Sequence, residues 1–173
     1  MQKRYTTFCI SFDTPFGWLT LEATTKGLKR IRIGKFCDVE IKLGKNVGVP
    51  INRDDYRWVV RLLKKVKNDI LDYLRGQVVG AIHKLPLHLD ELTPMQIKLL
   101  RELKKIKYGE TISYKELAEC VGTSARACGR LLGSNPFPII IPCHRVICSD
   151  GSLGGYSGGL NLKRKLLKLE HKS

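Results

Sequence analysis

The sequence predicts an α+β protein in two parts. A small N-terminal α/β domain, an antiparallel sheet plus one helix, is expected over residues 1–86. A mainly helical C-terminal domain is expected over residues 87–173. Three observations carry this. Short β-type segments separated by turn residues fill the first third, one long amphipathic pattern follows, and beyond Pro86 most of the apolar spacing is helical. A chain of 173 residues suffices for one ordinary domain or two small ones.

In order, Thr6–Phe12, Trp18–Thr24 and Leu28–Gly34 read as strands, parted by Pro15-Phe16-Gly17 and Lys26-Gly27, which are turn signals at hairpin spacing. Leu28, Ile31 and Ile33 with Lys29, Arg30 and Arg32 describe an amphipathic edge strand. Gly44–Asn52 reads as a loop. Asp54–Leu74 is helical, with Tyr56, Val59, Val60, Leu63, Val66, Ile70, Leu71 and Leu74 inward. Its other face carries Arg57, Arg61, Lys64, Lys65 and Lys67, which are either phosphate contacts or a solvated face.

Gln77–Leu89 connects the halves. Thr93 then caps a helix that has Pro94 at its first position and runs to about Lys107. Residues 113–121 and Ser124–Leu132 form two short helices, and the Gly122-Thr123 break between them has the length of a helix-turn-helix corner. Ile139-Ile140-Ile141 predicts a short buried strand. Leu160–Leu169 is the closing helix, with Lys163, Arg164, Lys165 and Lys168 outward.

Apolar residues at 43% and charged residues at 27% exclude global disorder. No apolar run approaches the roughly 18 residues of a membrane span, and MQKRYTTFCISFDT lacks the apolar core of a secretory signal. A cytoplasmic chain with no membrane partner and reduced thiols is expected. The net charge is +15. Residues 1–88 hold 17 basic and 8 acidic side chains and residues 89–173 hold 14 and 8, so both halves are basic and a polyanion is the leading partner.

Chemistry concentrates after Ile139. Pro142-Cys143-His144-Arg145-Val146 places a thiol behind a buried run, where rigidity suits a nucleophile. Arg145 is a nearby positive charge that favours thiolate. On an extended chain Cys143 and His144 point opposite ways, so a direct pair needs a turn or a bridging water. Gly154-Gly155-Tyr156-Ser157-Gly158-Gly159 is a loop whose backbone can approach a ligand closely. Glu170, at the end of the last helix, opposes the helix dipole and wants a cationic partner such as His144. Cys148 is a candidate resolving thiol. A zinc site from Cys9, Cys37, His83 and His88 lacks ligand spacing, so no metal is assigned.

IIPCHRV at 140–146, with YSGG at 156–159 and Glu170 after it, resembles the O6-alkylguanine-DNA alkyltransferases, also called methylated-DNA–protein-cysteine methyltransferases. The match runs from about Tyr108 to Glu170 through YGETISYKELA, SARACGR and GSNP. The resemblance implies an RNase H-like first domain and a winged-helix-like helix-turn-helix in the second. It implies a cofactor-free, single-turnover transfer of the alkyl group from O6-methylguanine, and from O4-methylthymine, in double-stranded DNA to Cys143, by a monomer.

The family's roles map onto this chain as follows. His144 takes the thiol proton through a water, Glu170 orients His144, and Asn135 is the hinge between the helix-turn-helix and the active turn. Tyr114 hydrogen-bonds the flipped guanine, the Ser157 N–H meets its O6, and the carbonyls of Cys143 and Val146 receive its amino group. Arg126 fills the space the base vacates. Lys115 and Ser149 match DNA-contacting positions. Ala125, Ala127 and Gly129 are small enough to let the helix press into the minor groove. Three rivals remain at this level: a DNA-binding regulator, a non-catalytic damage-flagging relative, and a cysteine hydrolase, which needs a Cys–His pair in contact.

Overall fold

Alternation along the first two strands puts Phe8, Ile10 and Phe12, then Leu19, Leu21 and Ala23, on one face, where all are buried. The strands are β1 (Phe8–Phe12), β2 (Leu19–Thr24) and β3 (Gly27–Ile33). A two-residue β4 (Lys42–Leu43) completes an antiparallel sheet of order β3-β2-β1-β4. The computed structural model describes residues 5–38, 42–43, 51–77 and 85–171. Most of the expected 44–52 loop and of the 77–89 connection lies outside them.

In β3, the register shifts opposite Glu22 and Ala23, so that Arg30 pairs with Glu22 and Leu28 with Ala23. This bulge at Lys29 explains why Leu28 and Ile31 share a face despite their odd spacing. The outer side of β3 is not a bare edge. Leu28 N–H donates to the Pro86 carbonyl at 2.9 Å and His88 N–H to the Leu28 carbonyl at 2.8 Å. Gly27 (φ +141°) permits this approach, since a Cβ there would lie 2.5 Å from the Pro86 oxygen. On the sheet's second face, Ser11 and Thr20 bond at 2.7 Å and hold the 34–37 segment through Gly34 O, Phe36 N and Cys37 N.

The helix α1 (Arg53–Leu74) starts at Asn52, whose side chain accepts from Asp55 N–H. It buries Val59, Leu62, Leu63, Val66, Ile70, Tyr73 and Leu74 against the sheet. Tyr56, expected inside, is 44% exposed, because it sits in the first turn, at the margin of the apolar stripe.

The chain divides into two compact units. Unit 1 is Met1–Arg75 with Val79–Asp90, and unit 2 is Gly76–Val78 with Glu91–Ser173. Unit 2 opens with α2 (Pro94–Leu103), started by a Thr93–Gln96 capping box. It stops four residues earlier than the spacing indicates, and Ile106 is buried from the following turn. Next come α3 (Tyr114–Val121), capped by Ser113, and α4 (Ala125–Gly133), capped by Ser124. Gly122, left-handed at φ 78° and ψ 47°, ends α3 and turns the corner between them. The pair packs against α2. The closing helix is α5 (Leu160–Glu170).

Three short strands escape the sequence pattern, β4 and two more. β5 (Ile112–Ser113) runs parallel to β6 (Val146–Ile147). Each is two residues long, too short for periodicity to register. Together β5 and β6 set the start of α3 beside the segment that follows Cys143.

Candidate active site

The triple isoleucine is buried as expected but is not a strand. Ile139 adopts φ +75°, an uncommon conformation for a β-branched residue. The run folds into turns closed by Ile141 N–H to Phe137 O at 2.8 Å and Cys143 N–H to Ile141 O at 2.8 Å. Residues Cys143–Arg145 then form one turn of 3₁₀ helix. The extended backbone that separates Cys143 from His144 is thereby replaced by a turn, and all three side chains are buried.

Asn135 holds this turn. Its Oδ1 accepts from Phe137 N–H at 2.9 Å, while its Nδ2 donates to the Ile141 carbonyl at 3.2 Å and to the Cys143 sulfur at 3.1 Å. One buried amide therefore links the end of α4 to the nucleophile. Burial pushes the Cys143 thiol above its usual pKa, and the Asn135 N–H and the Lys163 ammonium act against that shift.

Behind Cys143 lies a buried polar cluster. His144 Nε2 and Glu170 Oε1 are 2.9 Å apart. Glu170 also takes a bidentate pair from Arg145, Nε to Oε2 and Nη2 to Oε1, both 2.8 Å, and an N–H from Gly109 at 3.2 Å. Arg145 Nη1 donates to the Ile106 carbonyl at 2.6 Å. Arg145, expected to favour the Cys143 thiolate, pairs with Glu170 instead. Its charge is committed to Glu170, and Lys163 is the cation acting on Cys143. Burial lowers the His144 pKa, with Glu170 opposing, so the imidazole is held neutral and able to accept a proton.

Cys143 opens onto a cleft of about 450 Å³ between α4 and the Gly-rich loop, lined by Tyr114, Arg126, Gly129, Cys148, Tyr156 and Ser157 among others. Tyr114 donates to the Gly155 carbonyl at 3.0 Å. Its ring lies so close to Gly154 (φ +63°) that a Cβ there would stand 2.7 Å from it. Cys148 lines the cleft as a half-buried thiol.

Of the other site candidates, Ala125 and Arg126 are exposed on the rim. Ala127 is half-buried outside the lining. Lys115 and Ser149 are exposed away from the cleft wall. Val146 is fully buried.

The zinc arrangement does not assemble. Cys9 and Cys37 do meet, and burial together with Cys37 pushes the Cys9 thiol up to about 12. His88, however, bonds Thr24 Oγ1 through Nδ1 at 2.8 Å, and His83 lies outside the described residues. Among those residues no three metal-ligating side chains cluster.

A family profile described as the 6-O-methylguanine DNA methyltransferase DNA binding domain matches residues 94–172. A methylated-DNA–protein-cysteine methyltransferase from Metallosphaera sedula is 36% identical over 160 residues, which is 92% of this chain and 90% of that protein. The chain belongs to the methylated-DNA–protein-cysteine methyltransferase family. Among solved structures, a Mycobacterium tuberculosis OGT in complex with DNA matches with a TM-score of 0.75 at 33% identity, covering 95% of this chain and 92% of that one. A Mycobacterium tuberculosis O6-methylguanine methyltransferase matches at 0.72 and 30% identity, covering 96% and 93%.

In this methyltransferase-family chain, two residues of the site went unrecognised in the sequence. Lys163, expected outward, is fully buried. Its Nζ donates to the carbonyls of Val146 at 2.6 Å, of Leu153, and of Gly155 at 3.4 Å. The signal was present, because Lys163 stands three and four residues before Leu166 and Leu167 and so shares their apolar stripe. Tyr156 is the other. Its hydroxyl is buried beside the Cys143 sulfur, with no nitrogen or oxygen partner among the described residues. No periodic signal marks it, because it sits in a loop.

Proposed function

We infer that this protein repairs alkylated DNA by moving the alkyl group from O6-methylguanine onto its own Cys143, once per molecule. The observation that carries this reading is the Cys143 sulfur, buried and hydrogen-bonded by Asn135 on the floor of a cleft, with the His144–Glu170 pair behind it.

The chemistry follows from the geometry. With Nε2 bonded to Glu170, the Cys143 proton reaches the imidazole at Nδ1, through a water. Glu170 stabilises the imidazolium that forms. The thiolate attacks the alkyl carbon, the S–C bond forms as the C–O6 bond breaks, and the electron pair leaves on guanine, which takes up a proton. The thioether has no route back to a thiol, so the protein is consumed.

Reaching O6 requires the base to leave the duplex, at a cost of a few kcal/mol. In this reading Arg126 fills the gap, Tyr114 meets the extruded guanine, the Ser157 N–H meets O6, and the Cys143 and Val146 carbonyls take the amino group. Ala125, Ala127 and Gly129 keep the helix slim enough for a minor groove, while Lys115 and Ser149 contact the backbone. Residues 87–173 carry both DNA binding and alkyl acceptance. O4-methylthymine is a second substrate of the same chemistry.

The antiparallel sheet crossed by α1 supports an RNase H-like first unit, and α2–α4 support a winged-helix-like second. The protein is expected to act as a cytoplasmic monomer with no cofactor. Among the described residues no helix is long and apolar enough to cross a membrane.

Intact mass after mixing with a duplex containing O6-methylguanine tests the reaction. One added methyl per protein, mapped to Cys143, is expected. Methyl on Cys148, or several turnovers per molecule, overturns the mechanism.

A further inference from the structure

We propose that unit 1 carries a DNA-binding surface of its own, a basic track along α1 that leads into a cleft walled by Trp18 and takes single-stranded DNA. The inference rests on the protein acting on DNA as argued above, and concerns residues which that reaction leaves unused.

Arg57, Arg61, Lys64 and Asn68 are exposed at positions i, i+4, i+7 and i+11 of α1, so they form one outward row on a helix about 33 Å long. Arg61 and Lys64 have no carboxylate within ion-pair distance among the described residues. The helix's later acids are already engaged, Asp69 by Lys65 at 2.9 Å and Asp72 by Arg75 at 3.5 Å. Arg57 has Asp54 4.0 Å away, and the row's other two cations leave the field along this face positive.

The row does not end in open solvent. Lys67 and Arg75, on the adjoining strip of α1, form one wall of an open cleft of about 580 Å³, and Phe12, Pro15 and Trp18 from the β1–β2 turn form the other. The Lys67 ammonium lies 5.6 Å from the Phe12 ring centre, and Lys35 lies 4.6 Å from that of the half-exposed Trp18. Asp13 is the one carboxylate in the lining.

Phe12 is buried and only backs the cleft, but cations beside the half-exposed Trp18 indole are an arrangement that holds single strands, with phosphates on the cations and a base stacked on the ring. A solvated basic face needs no such cleft at its end. A duplex can lie along the row, but its paired bases cannot enter the cleft, so the strand that fits is unpaired. A second weak DNA contact on the same chain prolongs residence on nucleic acid through effective concentration.

The test uses the full chain and a short fluorescein-labelled oligothymidylate, with anisotropy followed across salt concentrations. Lys64→Glu/Lys67→Glu is expected to weaken binding at least about tenfold. It should also flatten the log–log salt slope by about 1.4, or about 0.7 for each of two phosphates. Trp18→Leu is expected to weaken binding about tenfold with the slope unchanged. Both variants should keep the wild-type thermal midpoint and the wild-type rate of self-alkylation by free O6-benzylguanine. Wild-type affinity and slope in the charge variant overturn the surface. Loss of duplex affinity alone overturns the single-strand assignment. Failure of the wild type to alkylate Cys143 bears on the repair reaction instead, and is read in a separate assay.

Discussion

Lys163 donates from α5 to the Val146 carbonyl at 2.6 Å, three residues beyond the nucleophile. The same ammonium reaches the Leu153 and Gly155 carbonyls. One cation thus binds the Gly-rich loop and the active turn to the last helix, with charge-assisted hydrogen bonds that are stronger than neutral ones. Burial lowers its pKa, and the Cys143 and Cys148 sulfurs oppose that.

Lys163→Met is therefore expected to cost about 1–3 kcal/mol, the usual penalty for leaving buried carbonyls unmet. It should also raise the Cys143 thiol pKa, since a cation that favours thiolate is gone. Urea unfolding and the thiolate absorbance of Cys143 measure the two effects. A stable variant with an unshifted thiol would reduce Lys163 to a filler of space.

Glu170→Gln is expected to slow transfer, because an amide stabilises imidazolium poorly. The structure adds a second effect. Arg145 is 2% exposed and would lose its carboxylate, so the fold should weaken by roughly 3–5 kcal/mol. The double variant Glu170→Gln/Arg145→Met should recover stability but not rate. Recovery of the rate as well would show that Glu170 acts only through the fold.

The neutral state of His144 has a pH signature. Its folded pKa lies below the 6.5 of the free side chain, so in the window beneath 6.5 the unfolded chain binds the extra proton. Stability is then fully present above about pH 6.5 and falls as pH drops toward the folded value. Thermal midpoints of wild type and His144→Gln from pH 7 to 5 should converge. Parallel curves would place the acid sensitivity elsewhere.

Arg126→Ala should slow repair of a paired duplex strongly, of single-stranded substrate less, and of free O6-benzylguanine little, since only the duplex has a stack to break. Rate constants on the three substrates decide this. Equal loss on both DNA substrates would assign Arg126 to phosphate binding.

Much of the site was legible in sequence because its parts lie close along the chain. Cys143, His144 and Arg145 are consecutive, the Gly122-Thr123 break announces the corner between α3 and α4, and Thr93-Pro94 announces α2. Local rules of capping and periodicity act within a few residues and leave their mark on the residues themselves. The misreadings arose where a residue's partner is remote. A lysine between leucines reads as outward until three backbone carbonyls, 8, 10 and 17 residues away, supply enough hydrogen bonds to hold it inside.

By itself, then, the sequence determined the five described helices to within a few residues, the first three strands, the basic charge and the thiol with its neighbours, since each depends on local propensity or on composition. Tertiary structure alone decided that the triple isoleucine turns instead of extending, that Arg145 serves Glu170 rather than Cys143, and that Lys163 faces inward. Each outcome is a competition between burial cost and specific hydrogen bonds. That balance is set by which groups the fold brings within 3 Å, a distance that separation along the chain does not encode.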